Sequence, residues 1–201
     1  MFDVLQAVFW SLTYIFLIVY AIKYKKHGIP LVAICLNYAW ETVSLTQSIL
    51  NGAQTALIIH ITWFLLDTVI VALFLFHETS IFQNQRDKLV FLVSYAASII
   101  FLAALFKSGG MLVSCFAIDL IMAIAFLAFA FGKEMVFSLI SISIGITKLI
   151  GDLFAWLYYR YESIVDLIGI IVLLCNIAYI LILLYKYFNK IKNKNRQEDE
   201  I

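Results

Sequence analysis

The sequence is poor in charged residues, which make up 13% of its 201 residues, whereas 64% are hydrophobic. Soluble domains average about 25% charged and about 45–50% apolar residues. A soluble core of this size does not need so much apolar surface, so the composition excludes a soluble domain and predicts an integral membrane protein. The net charge of +1 gives no indication of nucleic-acid binding, because the basic residues lie in short loops and in the C-terminal tail, and no nucleic-acid partner is expected.

Cysteine and proline are also scarce. The three cysteines (Cys35, Cys115 and Cys175) lie within apolar runs without paired spacing, so neither a disulfide framework nor a metal site is expected. The only proline, Pro30, stands at the first turn of an apolar run, where its missing N–H is tolerated. No basic region precedes the first apolar run, which is therefore interpreted as a retained spanning helix rather than a cleaved signal peptide.

Seven apolar stretches are long enough to cross the hydrocarbon core, which takes about 20 helical residues. Their short connections predict antiparallel neighbours in one all-α integral membrane bundle over residues 1–188, with a charged cytoplasmic tail at 189–201. The predicted segments are 3–22, 30–50, 56–76, 89–106, 110–131, 134–158 and 164–186.

Basic residues outside the membrane concentrate on one side of this predicted bundle. Eleven lysines and arginines fall on the side of the C-terminus, against Lys107 and Arg160 on the other. This asymmetry predicts a cytoplasmic C-terminus and an outside N-terminus. The separation of Glu41 from Asp67 is similar to that of Asp152 from Asn176. This weak similarity allows an internal repeat in which two groups of three helices flank one central helix.

Polar residues inside the apolar segments recur at helical spacing. In segment two, Asn37, Glu41, Ser44 and Ser48 line one face, which must point into the bundle rather than at lipid. Segment three places His60, Trp63 and Asp67 on one face, segment five Cys115 and Asp119, and segment six Lys148, Asp152 and Trp156.

Each of these groups has a structural and a functional interpretation. Lys148 and Asp152, one turn apart, form an ion pair that fixes packing or part of a site. Asp119 is a partner for Lys148 or for a tyrosine hydroxyl, and Asp67 belongs to a hydrogen-bond network with Asn37 or to the chemistry. Glu41 is the strongest functional candidate, because its whole helical face is polar.

The chemistry open to these carboxylates depends on their partners. Desolvation disfavours the ionised form, so a buried acid without a cationic partner is a proton donor at neutral pH. A partnered carboxylate stays ionised and can stabilise positive charge. The tryptophans beside them, Trp40, Trp63 and Trp156, either fill the bundle or hold a cation against their faces.

Two motifs resemble one known family. "CLNYAWE" in segment two is similar to the C-N-x-x-W-E pattern of the integral membrane terpene cyclases of fungal meroterpenoid and indole-diterpene pathways and their bacterial relatives. "WFLLDTVIV" in segment three resembles that family's tryptophan followed four positions on by aspartate. The size, the helix count and the short loops also agree, so the resemblance covers most of the chain.

This resemblance implies a metal-independent cyclase without a cofactor, in which the residue matching Glu41 protonates a prenyl or polyene substrate, commonly at a terminal epoxide. The sequence has no D-D-x-x-D or D-x-D-D cluster of the soluble cyclases. The substrate would be a lipophilic isoprenoid-like molecule entering from the bilayer, in the plasma membrane of a bacterium or the endoplasmic reticulum of a fungus.

The chain departs from the family at its second important carboxylate, which lies toward the last helix in a D-x-x-Y-like context. Here "NIAY" places Asn176 and Tyr179 instead, and Asp152 or Asp166 is a candidate replacement. The expected catalytic residues are therefore Glu41, Asp67 and Asp152. The expected substrate-binding residues are Asn37, Trp40, Trp63, Asp119, Trp156, Asn176 and Tyr179, and no metal ligand is expected.

Two other functions fit the same features. Seven helices with midplane carboxylates also describe a small solute or proton-coupled transporter, although few glycines or prolines interrupt the segments. A non-catalytic membrane subunit would use the charged residues to dock partner helices. Loss of turnover with retained ligand on mutation of Glu41 would indicate the enzyme, and loss of coupled flux the transporter.

Overall fold

A computed structural model of the protein describes residues 2–52, 54–76, 85–132 and 135–199. Every regular element within these ranges is an α-helix, which confirms the all-α prediction. The predicted loops at 77–88 and 132–134 lie mostly outside the described residues. The helices are α1 (Phe2–Tyr24), α2 (Leu31–Asn51), α3 (Gln54–Phe76), α4 (Gln85–Phe131), α5 (Leu139–Tyr159) and α6 (Ser163–Asp199).

Five of the six described helices, all except α2, are long and apolar enough to cross a membrane. The exception has a physical reason, because Asn37, Glu41, Ser44 and Ser48 lower the hydropathy of α2 while their side chains are buried inside the protein. Large aliphatic side chains on the other helices are exposed, as expected of surfaces that face lipid. These features support an integral membrane protein.

Helix α4 reverses direction near its middle. It contains 47 residues, about 70 Å of α-helix and about twice the hydrocarbon thickness. Gly110 inside it has φ 72° and ψ 178°, which is not helical. Ser98 and Phe101 on one side of Gly110 line the same groove as Ile121 on the other, although a straight helix would separate Phe101 from Ile121 by about 30 Å. The predicted break at "KSGG" is therefore a turn between two antiparallel halves.

We expect Gly110→Ala to destabilise the fold by about 1–3 kcal/mol, because this region of backbone conformation is accessible essentially to glycine alone. A Cβ at Gly110 would meet no atom within 4 Å, so the effect would come from the backbone and not from a clash. Thermal unfolding in detergent micelles measures it. Gly52→Ala is the matched comparison, since Gly52 also has positive φ and open space around a Cβ but lies in the milder left-handed helical region. If Gly110→Ala lost no more stability than Gly52→Ala, the backbone conformation assigned to Gly110 would be contradicted.

The helix ends follow local capping chemistry. Pro30 is the residue before α2, and its carbonyl accepts the first backbone hydrogen bonds of the helix. Ser138 and Ser141 form a reciprocal capping box at the start of α5. This cap explains why α5 begins at Leu139, later than the predicted residue 134. Helix α6 extends to Asp199, so the predicted tail continues the last helix.

The helices pack so that polar faces converge. Helix α1 packs against α3 and α5, α2 against α3 and α4, and α6 against α4 and α5. Gly151 of α5 lets α1 approach closely, because a Cβ there would lie 2.9 Å from Trp10. This contact sets the indole of Trp10 beside the polar face of α5, at the centre of the bundle.

Candidate active site

A small inner cavity lies between α1, α2, α3, α4 and α5, and a larger outer cavity beside it shares part of its lining. The inner cavity has a volume of about 50 Å³ and the outer cavity about 480 Å³. Gln6, Trp40, Trp63 and Cys115 line both. The outer cavity extends to the helix ends that carry Asp3, Met111, Tyr158 and Tyr159, which lie at the end of the bundle nearest the N-terminus.

Glu41 lines the inner cavity midway along α2. It is 1% exposed, and its Oε2 lies 2.9 Å from Nδ1 of His60 on α3. His60 itself lines the outer cavity. This hydrogen bond therefore links a residue of the inner cavity to a residue of the outer cavity. A proton shared between the two side chains can lie on Oε2 of Glu41 or on Nδ1 of His60. The sequence placed His60 on the face of Asp67 but did not pair it with Glu41.

Asn37 organises a second polar group one turn from Glu41. Its Nδ2 donates to Oδ2 of Asp67 at 2.8 Å and to the hydroxyl of Tyr14 at 2.8 Å. The predicted network of Asp67 with Asn37 is confirmed. Asn37 and Tyr14 line the inner cavity, whereas Asp67 is fully buried behind them. Within the described ranges, Oδ1 of Asp67 has no hydrogen-bond partner.

A buried ion cluster stands on the α4 and α5 walls of the same cavity. Nζ of Lys148, which is 0% exposed, donates to Oδ2 of Asp152 at 2.5 Å and to Oδ1 of Asp119 at 2.9 Å. The predicted pair with Asp152 is confirmed, and of the two partners considered for Asp119 the structure shows Lys148. Asn176 donates to Oδ2 of Asp152 at 2.6 Å. Two carboxylates thus share one lysine.

The remaining lining is largely aromatic and apolar. Trp10 lies beneath Lys148, with the ammonium 5.0 Å from its ring centroid. Trp40 stacks on Phe106 at 5.6 Å, and the indole N–H of Trp63 donates to Oγ of Ser11 at 3.1 Å. These contacts fix the ring orientations. An apolar space with polar groups on opposite walls suits a hydrophobic ligand that acquires charge.

Three predicted binding residues do not line either cavity. Nε1 of Trp156 donates to Asp166 at 2.9 Å, Tyr179 is buried against Met135, and Asn176 stands behind Asp152. The structure also brings in residues that the sequence reasoning missed. Gln6, Trp10 and Tyr14 recur every four residues along α1, and that spacing was the available signal for a further inward-facing polar face.

The described residues offer no ligand set for a metal, because no three His, Cys, Asp or Glu side chains among them are grouped as a metal ion would need. The chemistry that these residues themselves can perform is acid–base chemistry. Glu41, Asp119 and Asp152 all line the inner cavity, so carboxyl groups from α2, α4 and α5 are within reach of a bound molecule.

A protein-family model matches the larger part of the chain. The family model described as Pyr4-like transmembrane terpene cyclases matches residues 1–143. The matched range includes Glu41, His60, Asp67 and Asp119 and ends before Lys148 and Asp152. No curated protein and no solved structure matches the chain.

Proposed function

The chain belongs to the Pyr4-like transmembrane terpene cyclases, and from this premise we propose that it cyclises a lipophilic prenyl or polyene chain, epoxidised or plain, inside the membrane. Glu41 is the proton donor in this proposal. The single observation that carries it is the position of the Glu41 carboxyl, which opens into an aromatic-walled cavity at mid-depth and contacts His60 rather than a lysine or arginine.

The proposed reaction begins with transfer of the Glu41 proton to the terminal epoxide oxygen or alkene of the substrate. The positive charge that forms on carbon passes along the chain as rings close, and the faces of Trp10, Trp40 and Trp63 stabilise it. A carboxylate on the opposite wall then accepts a proton from the last cation. One proton enters and one leaves, so the product is an isomer of the substrate.

Asp119 is the better placed acceptor of the two carboxylates on that wall. Its side chain is 14% exposed, whereas that of Asp152 is 2% exposed. Nζ of Lys148 donates to Oδ1 of Asp119, so this carboxyl is held in place beside a lysine while it lines the inner cavity. Asp152 is held by both Lys148 and Asn176, and we assign it the role of positioning Lys148.

Asn176 stands where the family has its second important carboxylate, and Asp152 and Asp166 are the two candidates to replace it. The contacts of these two residues support a choice between them. The amide of Asn176 donates directly to Asp152, which lines the inner cavity. Asp166 instead accepts from Trp156, and neither residue lines the cavities. We therefore favour Asp152 over Asp166 at this position of the site.

We further propose seven membrane crossings for this domain, with the N-terminus outside and the C-terminus in the cytoplasm. The reversal at Gly110 supports two crossings within α4, in addition to one crossing for each of the other five helices. The outer cavity would then open toward the outside face of the membrane, because it lies at the end of the bundle that carries Asp3.

A cyclisation assay tests the proposed function. Membranes containing the protein are supplied with prenylated epoxides and with simple polyenes, and the expected product has unchanged mass and a shifted chromatographic retention. Membranes that lack the protein serve as the control. Folded protein that converts no member of the panel and instead drives coupled solute flux in proteoliposomes would overturn the proposal in favour of a transporter.

A further inference from the structure

We propose that His60 is a proton relay that reloads Glu41 from the outer cavity. This inference rests on the proposed function, in which Glu41 loses one proton in every turnover. The carboxyl is 1% exposed and lines only the inner cavity, where a bound polyene would displace water. Because so little of this carboxyl is exposed, the shortest return path for its proton runs through a neighbouring group.

The contact between His60 and Glu41 has the geometry of such a path. Nδ1 of the imidazole lies 2.9 Å from Oε2 of the carboxyl, within the range for direct proton transfer. The side chain of His60 is 11% exposed, against 2% for Glu41, and it lines the outer cavity. An imidazole can take a proton on Nε2 and release one from Nδ1. Trp63 packs edge-on against the ring and restrains it.

No other described side chain has this position. Among the described residues, His60 is the one titratable group hydrogen-bonded to Glu41. Further titratable groups from other helices line the outer cavity and contribute to the electrostatic environment of the relay, and among the described residues none of them is shown hydrogen-bonded to the Glu41 carboxyl. These are Asp3 on α1, Cys115 on α4 and Tyr158 and Tyr159 on α5.

The proton balance closes over one turnover. Glu41 gives its proton to the substrate, and the last carbocation loses a proton to Asp119. Nε2 of His60, which is neutral with its proton on Nδ1, takes a proton from water in the outer cavity, and the imidazolium so formed transfers its Nδ1 proton to Glu41. The imidazole is left protonated on Nε2, and proton exchange with water returns it to the Nδ1–H form. Asp119 returns its proton to water when the product leaves, so the protein regains its starting state.

Hydrogen exchange at the Glu41 acid tests the relay without requiring turnover. The infrared C=O band of this acid is identified by its loss in Glu41→Gln, and its shift after transfer to D₂O measures the rate of exchange. In His60→Asn the amide N–H replaces the Nδ1 contact but cannot pass a proton on. We expect exchange to slow by about tenfold or more, since a positioned proton-transfer group typically contributes about 10²-fold or more to a transfer that it carries.

The matched control is His27→Asn, which makes the same chemical change away from both cavities. His27 follows the end of α1 that is opposite to the outer cavity, and its ring packs against Phe74. Added imidazole should restore exchange in His60→Asn, and a purely structural role would not respond to it. His60→Gln serves as a second variant if His60→Asn does not fold. Exchange at the wild-type rate in either folded variant, or absence of a Glu41 acid band in the wild type, would overturn the relay.

Turnover separates this inference from the proposed function. With substrate in excess, His60→Asn should form about one product per protein at the wild-type rate and then slow to the rate of proton return. A wild type that cyclises while His60→Asn keeps full multiple turnover would refute the relay alone. A wild type that cyclises nothing but shows exchange dependent on His60 would refute the proposed function alone.

Discussion

Glu41→Gln is expected to lower the rate of cyclisation by about 100-fold or more, because a positioned general acid typically contributes about 10²–10⁴-fold. The amide has nearly the volume of the acid, and its N–H and C=O groups can still hydrogen-bond the imidazole of His60. The change therefore removes the transferable proton and leaves the packing of α2 intact. Product formation by membranes with equal amounts of folded protein measures the effect, and thermal unfolding in micelles confirms equal stability.

The matched control for this variant is Glu162→Gln, which makes the same chemical change at an exposed position between α5 and α6. We expect its rate to stay within about twofold of the wild type, since surface substitutions have small effects. Near wild-type activity in Glu41→Gln would mean that another group protonates the substrate. Equal losses in both variants would point to a shared defect in folding or membrane insertion.

Groups on a single helix were predictable because helical periodicity alone determines which of them share a face. The buried polar face of α2 from Asn37 to Ser48 follows from steps of three and four residues. The contact of Lys148 with Asp152 follows from their separation by one turn. The break before Gly110 was also predictable, because lysine, serine and two glycines interrupt an apolar run.

Contacts between helices were less predictable, because they depend on how far each helix is rotated and shifted along the membrane normal. The pair of Glu41 and His60 joins α2 to α3 at a depth that neither segment specifies by itself. Because the apolar residues of the two segments are so uniform, the sequence does not determine how the helices are aligned along the membrane normal. The same uncertainty explains Trp156, which shares a face with Asp152 but lies one turn nearer the end of α5, where Asp166 of α6 accepts its N–H.

Lys148→Met is expected to destabilise the protein by about 3–5 kcal/mol, because removing one partner of a buried ion cluster leaves an uncompensated charge. Lys148 is 0% exposed and is the shared ion-pair partner of Asp119 and Asp152 on the cavity wall. Methionine preserves most of the side-chain volume, so the loss would report on charge rather than packing. Unfolding free energy in micelles measures it, and Lys107→Met, at an exposed lysine, is the matched control.

A triple variant distinguishes the effect of the lost charge from other effects of the methionine. Asp119→Asn and Asp152→Asn added to Lys148→Met remove both carboxylates, and we expect the triple variant to regain most of the lost stability, since a neutral cluster carries no uncompensated charge. Wild-type stability in Lys148→Met alone would mean that the carboxylates do not require the lysine. In that case the contact with Lys148 would not be what positions Asp119, and the assignment of Asp119 as the group that accepts the final proton of the cyclisation would lose the observation that supports it.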